Sequence, residues 1–444
     1  MKSNFVDFVI TRRSNEAGRY HRRYLQRRAF ENRPGRKPDG QSGGQLYDGC
    51  YDMKKKSNHW KAALLAVMGD EKRQNITVPL LEVLFGLLAG AVIFLILGKN
   101  PLQAFNAFLQ GCGITAKANY AGGKGMFTDF MGYLDNWTPM LFAALSVAVA
   151  FKAGLFNIGV SGQMLMAGFA AMVTVGYSPL PAVVAKPLVI VIGIVVGALV
   201  GALIGYLKYR FNINEVVSSI MLNYIFQYVL SFFIFTFFIN PLTRQSQAIS
   251  DASRLTLQNV MIAGYKTVIP LGFVLAIIVV AAMHYLIHHT KLGYELKAVG
   301  LNAKASKYAG INVRRNILFA MMLSGALAGL AGVTYYLGYL GSIQPRVLST
   351  VGFDSIAISL LGNSNPIGIV FASFLITVIT KGSTYMSSSI GVDQEIGSVI
   401  TGLMLLFAAC GAYVRHRLRI SRMELEEQKK EEQKEGNEQK EGQS

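Results

Sequence analysis

The sequence predicts an all-α polytopic integral membrane protein of about ten transmembrane helices, with N and C termini cytoplasmic. Two observations carry that class. Several apolar windows reach the roughly 20 residues that a helix needs to cross a bilayer. Basic residues gather in the segments that flank them, as the positive-inside rule expects of cytoplasmic loops. The composition agrees, with 52% hydrophobic residues and a mean hydropathy of +0.36. A net charge of +18 raises nucleic acid as a partner. No recognised reader motif accompanies it, so membrane lipid is expected beside the basic segments and nucleic acid is not.

Taken in order, residues 1–76 form a basic extension interrupted by Pro34, Pro38 and the glycine-rich patch Gly40 to Gly44. Such a composition buries little apolar surface and reads as disordered. Within it, the run at 19–28 (RYHRRYLQRR) can lie on anionic lipid, and Met53 is a candidate true start. The basic N-terminus lacks the apolar core and small-residue cleavage site of a secretory signal. The membrane domain is placed at 77–417. Its first crossing is 78–97, followed by a polar, glycine-bearing segment at 98–137 that is too long for a tight connector and is set outside. Residues 139–151 are short for a crossing. Lys152 and Asn157 then interrupt the apolar run, which resumes at 158–177. Non-helical backbone at such a depth is tolerated only where protein or a water-filled cavity satisfies it.

The next crossing, 187–207, carries Gly193, Gly197, Gly201 and Gly205 at four-residue spacing. That spacing makes one smooth helix face, which a neighbouring helix can approach closely. Crossings follow at 216–239 and 268–287, separated by a long outer segment at 240–266. The crossing at 317–340 has a second small-residue face, with Ser324, Gly325, Ala328, Gly329 and Gly332. Residues 353–361 and 367–379 flank the turn Gly362-Asn-Ser-Asn-Pro366, and 397–413 is the last crossing, closed by Arg415, Arg417, Arg419 and Arg422. Residues 418–444 form a charged tail with few apolar side chains, expected to be disordered.

The stretch 290–332 organises the rest. Lys291, Lys297, Lys304, Lys307, Arg314 and Arg315 oppose the single acid Glu295 before an apolar run begins. Asn302 can accept from the free N–H groups of a first turn, and Gly310 can take the left-handed conformation that ends a helix. A short helix between two crossings is the result. The connection spends roughly 25 residues where about two to eight would serve, which points to docking of a partner.

Five stretches carry a resemblance: the 290–332 segment, 151–164 (FKAGLFNIGVSGQM), 214–224 (NEVVSSIMLNY), 293–300 (GYELKAVG) and 353–363 (FDSIAISLLGN). Together they resemble permease subunits of bacterial ATP-binding-cassette (ABC) importers, in the family serving ribose, branched-chain amino acids and nucleosides. The nucleoside branch is the most similar. The resemblance runs from about Thr77 to Arg417. It implies a plasma-membrane permease that works with an ABC ATPase subunit, a second permease subunit (homologous or identical) and an extracytoplasmic substrate-binding lipoprotein. It further implies that Asn302, Lys304, Ala305, Lys307, Tyr308 and Gly310 form an ATPase-coupling helix. Lys304 and Lys307 would be its polar contacts, with Ala305 and Tyr308 filling a groove. The chain itself has no Gly-x-x-x-x-Gly-Lys-Ser/Thr phosphate loop, so ATP hydrolysis is expected in the partner. No cofactor is expected.

Polar residues inside crossings cost free energy in hydrocarbon and tend to face a cavity or a partner. Asn157 and Gln163 flank the interruption, Asn223 and Gln227 share a helix face, and Asp354 opens a crossing. Tyr335 and Tyr336, with Tyr224 and Tyr339, offer rings for stacking. As a group these are expected to line a substrate pathway, since side-chain amides match the donors and acceptors of ribose hydroxyls and base edges. The same amides can bond across helices, and tyrosines also sit in interfacial belts. Glu82 is expected near the inner interface and Glu215 in a favourable first turn. His284 and His288, one turn apart, lack the further ligands of a metal site. Cys50, Cys112 and Cys410 build no disulfide framework. A simple-sugar or branched-chain amino-acid permease is the same-class alternative, and an ion-driven secondary transporter with a discontinuous helix the other. No nucleophile, base and orienting group assemble into an enzyme site.

Overall fold

The computed structural model describes residues 71–120, 124–262 and 264–441. The basic run at 19–28, the candidate start at Met53 and the rest of the extension before Glu71 lie outside the described residues. The elements run α1 (Glu71–Ile96), α2 (Pro101–Gly111), α3 (Met126–Lys152), α4 (Val160–Ala171, with a π turn at Met172–Gly176) and α5 (Ala182–Phe211). Then come α6 (Glu215–Phe233, with a π turn at Ile234–Phe238), the hairpin β1 (Thr256–Ile262) and β2 (Tyr265–Pro270), and α7 (Leu271–His289). The chain continues as α8 (Lys291–Leu301), α9 (Ala303–Tyr308), α10 (Val313–Val333, with a π turn at Thr334–Leu340), α11 (Val351–Leu361), α12 (Pro366–Ile390) and α13 (Glu395–Glu441). Among the described residues, eight helices are long and apolar enough to cross a membrane. The two shorter apolar helices, α4 and α11, bring the total to ten. The all-α polytopic class holds, with one antiparallel hairpin added to it.

Two crossings are longer than the sequence suggests. The segment 98–137, set outside as polar, contains α2 and the first half of α3. From Tyr133 to Ala150 α3 is almost wholly buried, so its Asp135 and Thr138 meet protein rather than lipid. Its start is anchored by Tyr133, whose hydroxyl donates to the Phe374 carbonyl (2.7 Å), and by Trp137, whose indole N–H donates to Ser373 Oγ (2.8 Å). α12 likewise runs eleven residues past 379, carrying Lys381. At the chain's end, α13 carries helical geometry through to Glu441. Its last segment is mostly Glu, Lys and Gln, which are strong helix formers, with Gly436 and Asn437 the exceptions.

The core is built by the small-residue faces. Gly197 of α5 meets Gly325 and Gly329 of α10, and a Cβ on Gly197 would stand 2.7 Å from the Gly329 Cα. A Cβ on Gly201 would stand 2.9 Å from the Gly325 Cα. The two glycine stripes read separately in the sequence are the two sides of one contact. Lipid supplies no hydrophobic drive between helices, so such backbone-to-backbone packing holds them together.

Chain direction assigns each end of the helices to a face. α9 marks one face; the hairpin, with residues 240–255, marks the other. α10 runs from the first to the second over ~40 Å, at 1.5 Å per residue. α13 runs antiparallel to α1, since Ile400 and Met404 sit against Gly90 and Gly86 and Glu82 against Gly411. Glu71 and Glu441 therefore both lie towards the α9 face.

Candidate functional site

Three groups of polar residues stand out, at different depths. The first surrounds the break between α3 and α4. Gly154 has φ +70°, and its Cα faces Gly300 of α8, so the chain turns where a side chain on either residue would collide. Asn157 and Gln163 are fully buried there. Asn157 Nδ2 donates to Gln163 Oε1 (3.1 Å) and to Ser324 Oγ (2.8 Å), while its Oδ1 accepts from the Gly159 N–H (2.9 Å). Ser324 and Ser146 exchange hydroxyl-to-carbonyl bonds of 2.8 and 2.7 Å between α10 and α3. Asn223 of α6 accepts from the Gly162 N–H (2.9 Å) and donates to the Ile158 carbonyl (3.0 Å). The amides thus supply the partners that unwound backbone needs inside a membrane.

The second group lines a cavity of about 730 Å³ at the face opposite α9. Its walls come from Lys117, Asn136 and Met140, from Tyr335 and Tyr339 in the π turn of α10, and from Phe353 and Asp354 of α11. α12 adds Thr380, Lys381, Ser383, Thr384, Tyr385 and Ser388, and Gln394, Glu395 and Ser398 close it. Lys381 Nζ lies 5.1 Å from the Tyr339 ring centroid. Lys117 Nζ lies 4.4 Å from the Tyr385 ring and pairs with Asp129 at 2.6 Å. Tyr335 and Tyr339 are inclined at 31° with centroids 6.2 Å apart. A cavity of this size falls within the ~300–1,000 Å³ of small-molecule sites. Aromatic faces, hydroxyls, amides and both signs of charge converge on it.

The third group is α9. Asn302 Oδ1 accepts from the Lys304 and Ala305 N–H groups (3.0 and 3.1 Å), and Gly310 has φ +80°. Lys304, Ala305 and Lys307 are exposed, and Tyr308 is 94% exposed. Leu301, just before the cap, is 89% exposed. Ser306 is buried and holds the inner side, donating to the Asn302 carbonyl (2.9 Å). The helix presents an uncovered ring and two ammonium groups away from the bundle.

Residues 131–409 match the family model described as the branched-chain amino acid transport system / permease component. The nucleoside ABC transporter permease protein NupB of Lactococcus lactis subsp. cremoris is 36% identical over 348 residues, 77% of this chain and 92% of that protein. The guanosine ABC transporter permease protein NupP of Bacillus subtilis is 34% identical over 347 residues, 78% of this chain and 96% of that protein. The chain belongs to the ABC transporter permeases. A glucose ABC transporter permease of Haloferax volcanii is 27% identical over 77% of the chain and 90% of its own length. The permease is accordingly a multi-pass membrane protein and a transport subunit.

Of the residues singled out in the permease as pathway candidates, Tyr335 and Asp354 line the cavity together. Asn157, Gln163 and Asn223 do not, because their bonding capacity is taken up by the break and by each other. Tyr336 is buried against Gly168 of α4 rather than turned to the cavity. Gln227 donates to the Arg346 carbonyl (2.6 Å), away from the cavity. Lys381, Asn136 and Tyr385 are cavity residues that sequence reading missed. Lys381 had a signal: it is an ionisable residue within a crossing of α12. Asn136 was hidden by the misplaced start of α3. Glu82 is buried against α13, at Gly411. Glu215, in the first turn of α6 as expected, pairs with Lys208.

Proposed function

We propose that the permease is the membrane-spanning subunit of an ATP-driven nucleoside importer that works by alternating access. One observation carries the reading: α10 joins an aromatic, hydroxyl-lined cavity at one face to the uncovered α9 at the other. The similarity to permeases named for nucleosides and guanosine supports the substrate class. In the cavity, Tyr335, Tyr339 and Tyr385 offer stacking faces for a base. Asn136, Gln394 and the hydroxyls of Thr380, Ser383 and Ser388 offer donors and acceptors for ribose and base edges. The α9 face is then cytoplasmic, with both termini, and the cavity opens outward to a substrate-binding lipoprotein.

An ABC ATPase subunit docks on Tyr308, Lys304 and Lys307, with Leu301 beside them. A second permease, homologous or identical, completes the pathway. Closure of the ATPases displaces α9 and α8, and Gly300, seated on Gly154, passes the movement to the break between α3 and α4. Binding of substrate shifts such an equilibrium only through different affinity for the two states, so the cavity must lose its shape in the inward state. In this reading the basic extension before residue 77 and the charged tail after 417 stand outside the transport unit.

Uptake of labelled guanosine, ribose and leucine by cells carrying the assembled complex tests the proposal. Guanosine is expected to accumulate, and to stop accumulating when ATP is depleted. Uptake of ribose or leucine alone would move the permease to a neighbouring substrate class. Guanosine accumulation that persists without ATP, driven by an ion gradient, would make it a secondary transporter.

A further inference from the structure

A cluster of basic groups remains outside both the cavity and α9. His284 and His288 of α7 stand with ring centroids 4.5 Å apart. His288 Nδ1 lies 3.0 Å from the His284 carbonyl, and His284 Nδ1 is buried without a hydrogen-bond partner. Lys152, the last residue of α3, and Lys297 of α8 both lie within electrostatic reach of His288 and of each other. The geometry explains that convergence. Lys297 is one turn before Gly300, whose Cα packs on the Lys152 carbonyl and the Gly154 N–H. Neither lysine forms an ion pair among the described residues. The nearest acid on α8, Glu295, is engaged by Asn316 Nδ2 (2.9 Å) and Lys291 (3.8 Å). Two lysines and two imidazoles from three elements thus converge, and among the described residues no carboxylate pairs with either lysine.

α7 itself says what kind of anion would sit there. Val274, Ile277, Ala281, His284 and His288 follow one another at three- and four-residue spacing, so they form one stripe along the helix. Val274 is 61% and Ile277 54% exposed, and Ala281 is exposed as well. The stripe is apolar and uncovered for its first part and basic at its end. From Val274 to His288 it rises ~21 Å, at 1.5 Å per residue. One leaflet of hydrocarbon is ~15 Å deep, half the ~30 Å core. A free phosphate would use the basic end and leave the apolar stripe unexplained.

We propose that this is a binding site for an anionic glycerophospholipid, its phosphate held by Lys152, Lys297, His284 and His288 and an acyl chain laid on Val274, Ile277 and Ala281. Basic pockets between helices at the inner membrane surface are suited to such headgroups. The site adjoins α8, so the bound lipid would brace the helix that carries α9.

The test uses the full-length permease purified in detergent, with dioleoyl-phosphatidylglycerol, dioleoyl-phosphatidylcholine or inorganic phosphate added. Native mass spectrometry reads retained lipid, and thermal unfolding reads stabilisation. The wild-type chain is expected to retain phosphatidylglycerol about tenfold or more over phosphatidylcholine, since each lysine near the headgroup favours an anionic lipid. The Lys297→Gln, His288→Gln double variant should lose that preference, and Lys297→Arg should keep it, which separates charge from folding. Equal retention of the two lipids by the wild type overturns the proposal, as does a double variant that still prefers phosphatidylglycerol. Stabilisation by inorganic phosphate as large as that by phosphatidylglycerol would assign the cluster to a free anion instead. A cross-link from Lys297 to a carboxylate of the ATPase subunit in the assembled complex, with no lipid retained, would assign it to that partner.

Discussion

The break between α3 and α4 and the cavity beside α12 contain the same kinds of side chain, yet their polar atoms are used differently. At the break, Asn157, Gln163, Asn223, Ser146 and Ser324 bond one another or the backbone, and all are buried. In the cavity, Lys381, Tyr339, Tyr385 and Asn136 face an open volume. The two regions are neighbours, since Ser161 just after the break donates to the Ser349 carbonyl (2.9 Å), beside the run at 350–354 that lines the cavity. An amide within a membrane helix is therefore evidence of a substrate path only after the needs of nearby broken backbone have been met. Here they absorb the amides of residues 157, 163 and 223 almost completely.

The most severe way to break this comparison is Asn157→Leu. The substitution leaves the Gly159 N–H and the Gln163 amide without their present partners in a site that excludes solvent. Each unpaired buried group costs about 1–3 kcal/mol, against total stabilities of ~5–15 kcal/mol in ordinary domains. The expected outcome is loss of folded permease, measured as monodisperse yield and thermal unfolding in detergent. A variant that folds normally but fails to transport would instead make Asn157 part of the pathway.

Next in size is α9. Tyr308→Ala combined with Lys304→Glu should leave thermal stability unchanged, because both side chains are exposed. Uptake by the assembled complex should fall roughly 30-fold, the effect of truncating an aromatic anchor at a protein interface. Retained uptake would show that the ATPase grips elsewhere.

What was legible in the sequence follows from where each side chain finds its partners. The glycine stripes were legible because spacing alone fixes a helix face, and Gly197 and Gly201 then met Gly325 and Gly329. The short helix α9 was legible because its cap is local: Asn302 bonds residues two and three positions on. The start of α3 was not, since Asp129, Asp135 and Asn136 resemble loop composition until Lys117, Trp137 and α12 are packed around them. The cavity could not be assembled from sequence either. Lys117, Tyr339, Asp354 and Lys381 come from four separate segments, and only the packing of α10, α11 and α12 brings them together.

A smaller effect is expected within the cavity. Tyr339→Ala removes a stacking face and the ring beneath Lys381. Aromatic pairs contribute ~0.5–1.5 kcal/mol beyond buried area, so KM for guanosine uptake should rise by up to about tenfold with maximal rate and unfolding temperature little changed. Tyr336→Ala offers the contrast. Its ring is buried against Gly168, so it should lower stability and leave the KM of the surviving protein alone. If the two variants exchanged phenotypes, the assignment of the cavity wall would be wrong.

The smallest effect sharpens the comparison most, because it asks how much of the break is cooperative. Ser146→Ala removes one of two reciprocal bonds between α3 and α10, and Ser324→Ala removes the other together with the acceptor of Asn157. Interhelical hydrogen bonds in membranes average ~0.6 kcal/mol, so Ser146→Ala alone should barely shift unfolding. Ser324→Ala should cost more, since it also strips a bond from Asn157, whose remaining partners are Gln163 and Gly159. The double variant should then cost less than the sum of the two singles, because the two hydroxyls also stand 3.0 Å apart, a contact that either single variant already removes. Strict additivity would mean that the serines act as independent contacts, and the stability of the break would rest on Asn157 and Asn223 alone.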